Sequence, residues 1–498
     1  MWDREGGSLK YPHDMLSIIR EGLDKAPIPK RVIIIGGGMA GLTAASLLKN
    51  AGHQVVIVEG NNRIGGRIYT VREPFQPGNY LDMGAMRIPD NHKLVMEYIK
   101  KFQLPVHVFN NSSPEDLIFT NNVLTTRKEY EANPDILNFP VEEDEKGKTA
   151  LELLLEAVQP FLYLYEQSTP EEREQLEEEY GKYSIGNFLQ YNPLGKPLSV
   201  TAIRYIGVML GLEGFPNFSF VDILTDIIYP IFSETVNFLE IDGGNDHLPK
   251  AFLPQLYPNI YLNQKVERIY QKQKGVRVQT RNPQTGEVSN FYGDYAIVTV
   301  PFSVFQFVDV IPYDSISFKK WQIIRELINV AAMKIGIEFK SRFWEKNHAG
   351  NAVSDRTTRF SYVPSHGIGT QGPAVMLASY GWGDDALLWS STPPEVMTRE
   401  VLSDLAKVYG TIVYKEYLQT VSFNWSLNPF SAGCFTLFSP GQGKEFFDII
   451  KRPEGRLHFA GEHTSSFHGW IEGAIESGIR AAYEVNVKEF IKPGLYLK

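Results

Sequence analysis

A single cysteine, Cys434, stands in 498 residues, so an intrachain disulfide and a multi-cysteine zinc site are both excluded. No stretch approaches about 18 consecutive apolar residues, and no transmembrane helix is expected. Basic runs are missing too. Lys and Arg number 49 against 58 Asp and Glu, a formal charge of −9, which argues against a nucleic-acid partner. The N-terminal stretch MWDREGGSLKYPHDMLSIIREGLDK scatters charges where a secretory signal needs an apolar core. The expectation is a soluble cytoplasmic protein with no membrane partner, in which the Asn-x-Ser sequons at Asn110, Asn217 and Asn424 are accidental. None of the ten histidines stands at ligand spacing from a carboxylate or the cysteine, so no metal is expected. What remains is ordinary globular composition, long enough for roughly three folding units.

From Pro29 the pattern becomes specific. The β-branched run Val32 to Ile35 ends in three glycines, residues 39–50 read as a helix, and Gln54 to Glu59 as a second buried strand. Continuously apolar strands joined by a helix make a βαβ unit with both faces covered. Two similar strands come late, at Tyr295 to Pro301 and Arg456 to Ala460, so one sheet is expected from three separated stretches. Between them, residues 130–240 read as helical, with Thr169-Pro170-Glu171-Glu172 as a helix start. Residues 318–429 mix strands (Ala332 to Phe339, Ala374 to Tyr380) with a helix at Pro394 to Tyr409.

Gly36-Gly37-Gly38-Met39-Ala40-Gly41 satisfies G-x-G-x-x-G directly after a strand and opening a helix. The first glycine permits the tight turn, the second lets backbone approach a pyrophosphate, and the third lets helix and sheet pack closely. Glu59, ending the second strand, is placed to bind ribose hydroxyls. Beyond it, Arg63-Ile-Gly65-Gly66-Arg67 adds a second clamp that a nicotinamide dehydrogenase does not need. Near the C-terminus, Gly461-Glu462 precedes Gly469-Trp470-Ile471 and a helix of small residues, Gly473, Ala474, Gly478, Ala481 and Ala482.

With Val298-Thr-Val-Pro301, these motifs make the sequence resemble the flavin-dependent amine oxidases, most nearly the L-amino acid oxidases. The resemblance spans nearly the whole chain. It implies an α/β fold: a Rossmann-like FAD-binding domain of the glutathione reductase/monoamine oxidase type, a mixed-sheet substrate-binding domain and a helical insertion. The divisions expected are 26–71, 240–316 and 430–487 for FAD, 72–128 and 318–429 for substrate, 129–239 for the insertion and 1–25 for an N-terminal arm. FAD would lie along Gly36, Gly38, Met39, Ala40, Gly41 and Glu59, with Gly66, Arg67, Gly84, Ala85, Met86 and Arg87 following. Val266 would meet the adenine, Gly461 and Glu462 the pyrophosphate and ribityl chain, and Gly469, Trp470 and Ile471 the flavin ring.

Substrate choice rests on Gly84-Ala85-Met86-Arg87. An arginine there can take a carboxylate through two parallel charge-assisted bonds, and Arg87 matches the arginine that simple monoamine oxidases lack. Tyr362 matches the tyrosine on the other side of that carboxylate. Lys334, flanked on its strand face by Ala332 and Gly336, matches a lysine that holds water against the flavin and serves reoxidation by oxygen. Trp470 and Phe435 would form an aromatic cage, with the Gly469 carbonyl accepting from the substrate amine. The reaction implied is hydride transfer from Cα to flavin N5, giving a 2-oxo acid, ammonia and peroxide. An amide-forming monooxygenase, a monoamine or polyamine oxidase and a noncatalytic flavoprotein remain as alternatives. Cys434 departs from the pattern. Its segment resembles the monoamine oxidases that join cysteine to FAD, while the nearer group holds FAD without a covalent bond, and a buried thiol is favoured. A pocket histidine of some family members has no counterpart. Phe161, Tyr163 and Tyr165 suggest an apolar pocket wall, and the inserted architecture suggests a homodimer.

Overall fold

Val32 to Ile35 are buried in the strand Arg31–Ile35, the middle of a five-stranded sheet. The strand order is Ile260–Tyr261, Gln54–Val58, Arg31–Ile35, Tyr295–Val298, Leu457–Phe459, and every pair is parallel. Ile33 stands opposite Val56 on one side and Ala296 on the other. This is a computed structural model, and it describes residues 9–232 and 236–487. The helix Met39–Ala51 ends at Gly52, which takes the left-handed conformation at φ 102°. It packs against the C-terminal helix Ile471–Val487. A Cβ on Gly478 would stand 2.6 Å from the Ala40 carbonyl oxygen, so the small residues there permit a close helix crossing. Leu42, Leu48, Ile475 and Ile479 fill that seam together with Val32 and Ile34.

A seven-stranded mixed sheet lies beside it, with Ala332–Phe339 paired antiparallel to both Ala374–Trp382 and Tyr417–Asn424. Its Ile335, Ile337 and Phe339 face the helix Pro394–Tyr409 through Met397, Val401 and Leu405. The alternate residues, Lys334 and Gly336, face the segment at 81–84. A helical unit begun by Ala150–Gln167 and Pro170–Tyr180 packs on Val353 and Phe360 of the mixed sheet and on Phe435 and Leu437. Thr149 with Glu152, and Thr169 with Glu172, close capping boxes at the two starts. Its later part contains a π-helical turn, Leu224–Ile228.

Of the expected N-terminal arm, residues 1–8 lie outside the described residues, as do 233–235 of the insertion. Within the arm, residues 13–21 form a docked helix, His13–Glu21, with Met15 and Ile19 buried one turn apart in the same core as Leu42. The Tyr11 hydroxyl donates to Glu472 at 2.8 Å, tying this segment to the C-terminal helix. Among the described residues no helix is long and apolar enough to cross a membrane.

Candidate active site

The glycine turn at the end of Arg31–Ile35 is built by close approach. Gly36 has φ 114°, and a Cβ on it would stand 2.5 Å from Thr299 Oγ1. A Cβ on Gly41 would overlap the Gly36 carbonyl oxygen. Glu59 binds back across the turn, accepting from Gly37 N at 2.6 Å and from Asn61 N at 2.8 Å. Burial pushes its pKa up, against the pull of those two N–H groups.

From Glu59 and Val266 a groove runs past Gly36, Gly38, Met39 and Ala40, then beside Gly66 and Arg67, to Gly461, Glu462 and Gly469 to Ile471. Gly41 does not line it and serves the packing of helix on turn. Gly38 is open to the groove: the nearest heavy atom to a Cβ there is Gly66 Cα at 3.9 Å. A helix N-terminus with free N–H groups, a buried carboxylate beyond it and an open cradle at the middle glycine suit a dinucleotide. Arg63 lines no part of this groove. Its guanidinium donates to the carbonyls of Ile64, Gly66 and Ile68 and lies 4.1 Å from the Tyr69 ring centre, so it shapes the diglycine loop.

The groove meets a cavity of about 870 Å³, and Arg67, Ala85, Cys434, Phe435, Gly469 and Trp470 line both. Arg87, Tyr362, Gly84 and Met86 line the cavity alone. The Arg87 guanidinium lies 5.2 Å from the Phe238 ring centre and donates to Asn111 Oδ1. Among the described residues no carboxylate pairs with it. The Trp470 indole is fixed by a 2.8 Å bond from Nε1 to the Asp226 carbonyl and by an edge contact with His92. Gly469, at φ 80°, donates its N–H to Glu462 Oε2 at 2.9 Å. Glu462 also accepts from Arg67 at 2.6 Å. Burial raises the Glu462 pKa, but Arg67, His463 and His468 outweigh it and hold the carboxyl below its usual range.

Lys334 lines neither space. Its Nζ donates to the carbonyls of Asp82 (3.0 Å) and Gly84 (2.7 Å) and lies 4.6 Å from the Tyr380 ring centre, one layer behind the cavity wall. The room expected beside it at Gly336 is filled by Leu81 and Met83, so no ring fits there. Burial lowers the Lys334 pKa to about 7, with Asp82 opposing; the buried Asp82 carboxyl is raised. The pocket wall also differs from expectation. Phe161 is in the core of the helical unit and Tyr163 is exposed, because an eighteen-residue helix spends those positions on its own packing and its outer face. The unit contributes Met209, Phe215 and Ile227 to the cavity instead. Tyr380 and Trp382, two residues apart on one strand, were not anticipated there; their spacing on Ala374–Trp382 was the available signal.

Cys434 is a free thiol at the junction of groove and cavity, and burial raises its pKa to about 11. A thiol so far from ionisation is a poor nucleophile. Native protein at pH 8 is expected to resist iodoacetamide over hours and to react at once when unfolded, as intact-mass measurement would record; rapid native labelling would contradict the raised thiol pKa.

A cradle for a dinucleotide opening onto an aromatic cavity defines the class. The sequence model of the flavin containing amine oxidoreductases matches residues 39–486, and the chain belongs to that family. YobN of Bacillus subtilis, provisionally named an L-amino-acid oxidase, is 48% identical over 95% of this chain and 98% of its own length. The L-amino-acid oxidase of Siganus canaliculatus is 36% identical, covering 97% of this chain and 90% of that one. Cyclohexylamine oxidase from Brevibacterium oxydans shares the fold at a TM-score of 0.72 and 19% identity, over 92% of this chain and 99% of that one. A putrescine oxidase double mutant gives 0.74 at 17%, over 93% and 100%.

Proposed function

We propose that the protein is an FAD-dependent L-amino acid oxidase that binds its flavin without a covalent bond. The observation that carries this is Arg87: a guanidinium on the wall of a cavity lined in part by aromatic rings, with no carboxylate among the described residues as its partner. An α-carboxylate suits that guanidinium through two parallel bonds, which an amine substrate does not use. Tyr362, on the same wall, offers a hydroxyl to the second side of the carboxylate. Trp470 and Phe435 flank the junction where the α-carbon must reach the groove, and their rings exclude water from it. The Gly469 carbonyl is assigned to the substrate amino group, orienting it in its neutral form. Flavin, when bound, supplies the two-electron acceptor and its reoxidation by oxygen yields peroxide. The imino acid released hydrolyses to a 2-oxo acid and ammonia.

Lys334 acts from behind the wall, holding Gly84 and adding positive charge beside the site. Lys334→Met is expected to slow reoxidation of the reduced protein by oxygen about 10-fold or more, with reduction by substrate changed less. Equal stopped-flow reoxidation rates in the two proteins would remove that role.

The assignment is tested by recording the visible spectrum anaerobically while single L-amino acids, then their decarboxylated amines, are added. Bleaching by the amino acids alone is the expected result. Bleaching by amines alone makes the protein a monoamine or polyamine oxidase, and an amide product makes it a monooxygenase. A flavin that nothing reduces indicates a binding protein. Acid precipitation checks the cofactor linkage: a colourless pellet is expected, and a yellow one means a thioether to Cys434.

A further inference from the structure

No spacing in the sequence connects His107, Glu240 and His366, yet the fold gathers them behind the large cavity. His107 belongs to the strand Val106–Val108, and Glu240 to its antiparallel neighbour Phe238–Ile241, directly opposite in register. His366 follows the strand Phe360–Tyr362. His107 Nε2 is 3.6 Å and His366 Nδ1 3.3 Å from the Glu240 carboxylate, and one ligand atom from each residue lies within 4.8 Å of the other two. Both nitrogens are buried and neither has a hydrogen-bond partner.

The opposite nitrogen of His107 decides what this means. His107 Nδ1 is 2.5 Å from Asp242 Oδ1. An ionised carboxylate only accepts, so Nδ1 carries a proton toward Asp242. Without a metal, Nε2 carries a second one toward Glu240, and the two carboxylates hold the His107 pKa up at about 9. A divalent cation placed between Nε2 and the Glu240 carboxylate, 3.6 Å apart, takes the place of that proton and binds both groups. Ligands about 2.1 Å from a tetrahedral zinc stand about 3.4 Å from one another, and each histidine nitrogen lies near that distance from its own oxygen of the Glu240 carboxylate, 3.6 Å to Oε2 and 3.3 Å to Oε1. A carboxylate behind the histidine, fixing its tautomer, is the usual outer partner of a metal-bound imidazole. The His366 ring is held as well, stacked on Tyr80 with centres 4.0 Å apart. The His107 and His366 side chains keep 25% and 21% of their exposure, which leaves a path for an ion from solvent.

We propose that His107 Nε2, the Glu240 carboxylate and His366 Nδ1 bind a divalent zinc ion, with water as the fourth ligand. Two imidazoles and one carboxylate in a compact tetrahedron suit zinc better than the oxygen-seeking magnesium or calcium. The ion is a structural clip. Phe109, Phe238 and Tyr362, all on the cavity wall, belong to the same three segments as its ligands, so occupancy fixes that wall. The site stands whatever substrate the cavity takes.

The flavin-loaded protein is stripped with a chelator, desalted, equilibrated with zinc sulfate, desalted again and assayed for metal by mass spectrometry. About one zinc per chain is expected. Glu240→Gln and His366→Gln should each remove it while the flavin absorbance, kept as the check on folding, persists. Asp242→Asn, at a side chain 52% exposed, changes only the outer partner and should weaken zinc binding roughly 10- to 100-fold. Wild-type protein that stays zinc-free overturns the site, as does zinc retained equally by Glu240→Gln and His366→Gln. Unchanged affinity in Asp242→Asn overturns the part given to Asp242 as the outer partner that orients His107.

Discussion

Arg87→Ala should lower kcat/KM for L-amino acids roughly 10²- to 10⁴-fold and leave the protein yellow. Two charge-assisted hydrogen bonds at about 1.5–3 kcal/mol each come to about 3–6 kcal/mol, at about 1.4 kcal/mol per factor of ten. Flavin retention follows from position, because Arg87 lines the cavity and not the groove. The guanidinium is poised and not yet neutralised: its partner Asn111 is uncharged, and the Phe238 ring supports its face. Arg87→Lys keeps the charge but loses the planar fork, so it should fall between wild type and alanine. Decarboxylated amines, poor substrates for the wild type, should be affected little by either change. Steady-state peroxide production with paired amino acids and amines measures all of this. An alanine variant that retains wild-type kcat/KM for amino acids ends the carboxylate assignment, and with it the distinction from amine oxidases.

The parts of this site that the sequence made legible are those written in local spacing. Three glycines after a β-branched run, a carboxylate at the end of the next strand, and small residues along the last helix each state a short-range steric demand. Gly36 at positive φ, Gly41 under the Gly36 carbonyl and Gly478 against Ala40 are where those demands are met. Alternation likewise placed Lys334 opposite Ile335 and Ile337. What it met there was not legible, since the carbonyls of Asp82 and Gly84 come from 252 and 250 residues away in sequence. The cluster of His107, Glu240 and His366 is the extreme case: two paired strands of one sheet meet the loop after a strand of another, and no periodicity records that. The docked helix at His13–Glu21 lies between these limits. Met15 and Ile19 are spaced for one buried face, but nothing local says that the Lys93–Lys101 and Ile471–Val487 helices will cover it. The cavity wall failed for a related reason, because aromatic residues on a helix are apolar whether they face a ligand or another helix.

Gly38→Ala and Gly41→Ala differ by three positions and should fail in opposite ways. Gly38 has an ordinary extended backbone, φ −78° and ψ −178°, and a methyl there meets nothing nearer than 3.9 Å. The flavin-free variant should therefore unfold within about 0.5 kcal/mol of flavin-free wild type. Its methyl does, however, project into the groove at the point where the backbone must approach the pyrophosphate. A clash of that kind costs about 1–3 kcal/mol, so flavin affinity should fall by about 10- to 100-fold. At Gly41 the obstruction is the protein itself. A methyl would overlap the Gly36 carbonyl oxygen and stand 3.0 Å from Ile34 Cγ2, and neither can move without lifting the helix from the sheet. Gly41→Ala should lose about 1–3 kcal/mol of stability even without flavin, and with the turn displaced it should purify colourless. Flavin content and denaturant unfolding of the stripped proteins separate the two effects. If Gly38→Ala binds flavin as tightly as wild type, the pyrophosphate does not pass the glycine turn and the groove has another occupant. If Gly41→Ala is stable and yellow, the helix start is free to shift, and the dipole at Met39 is not what holds the anion.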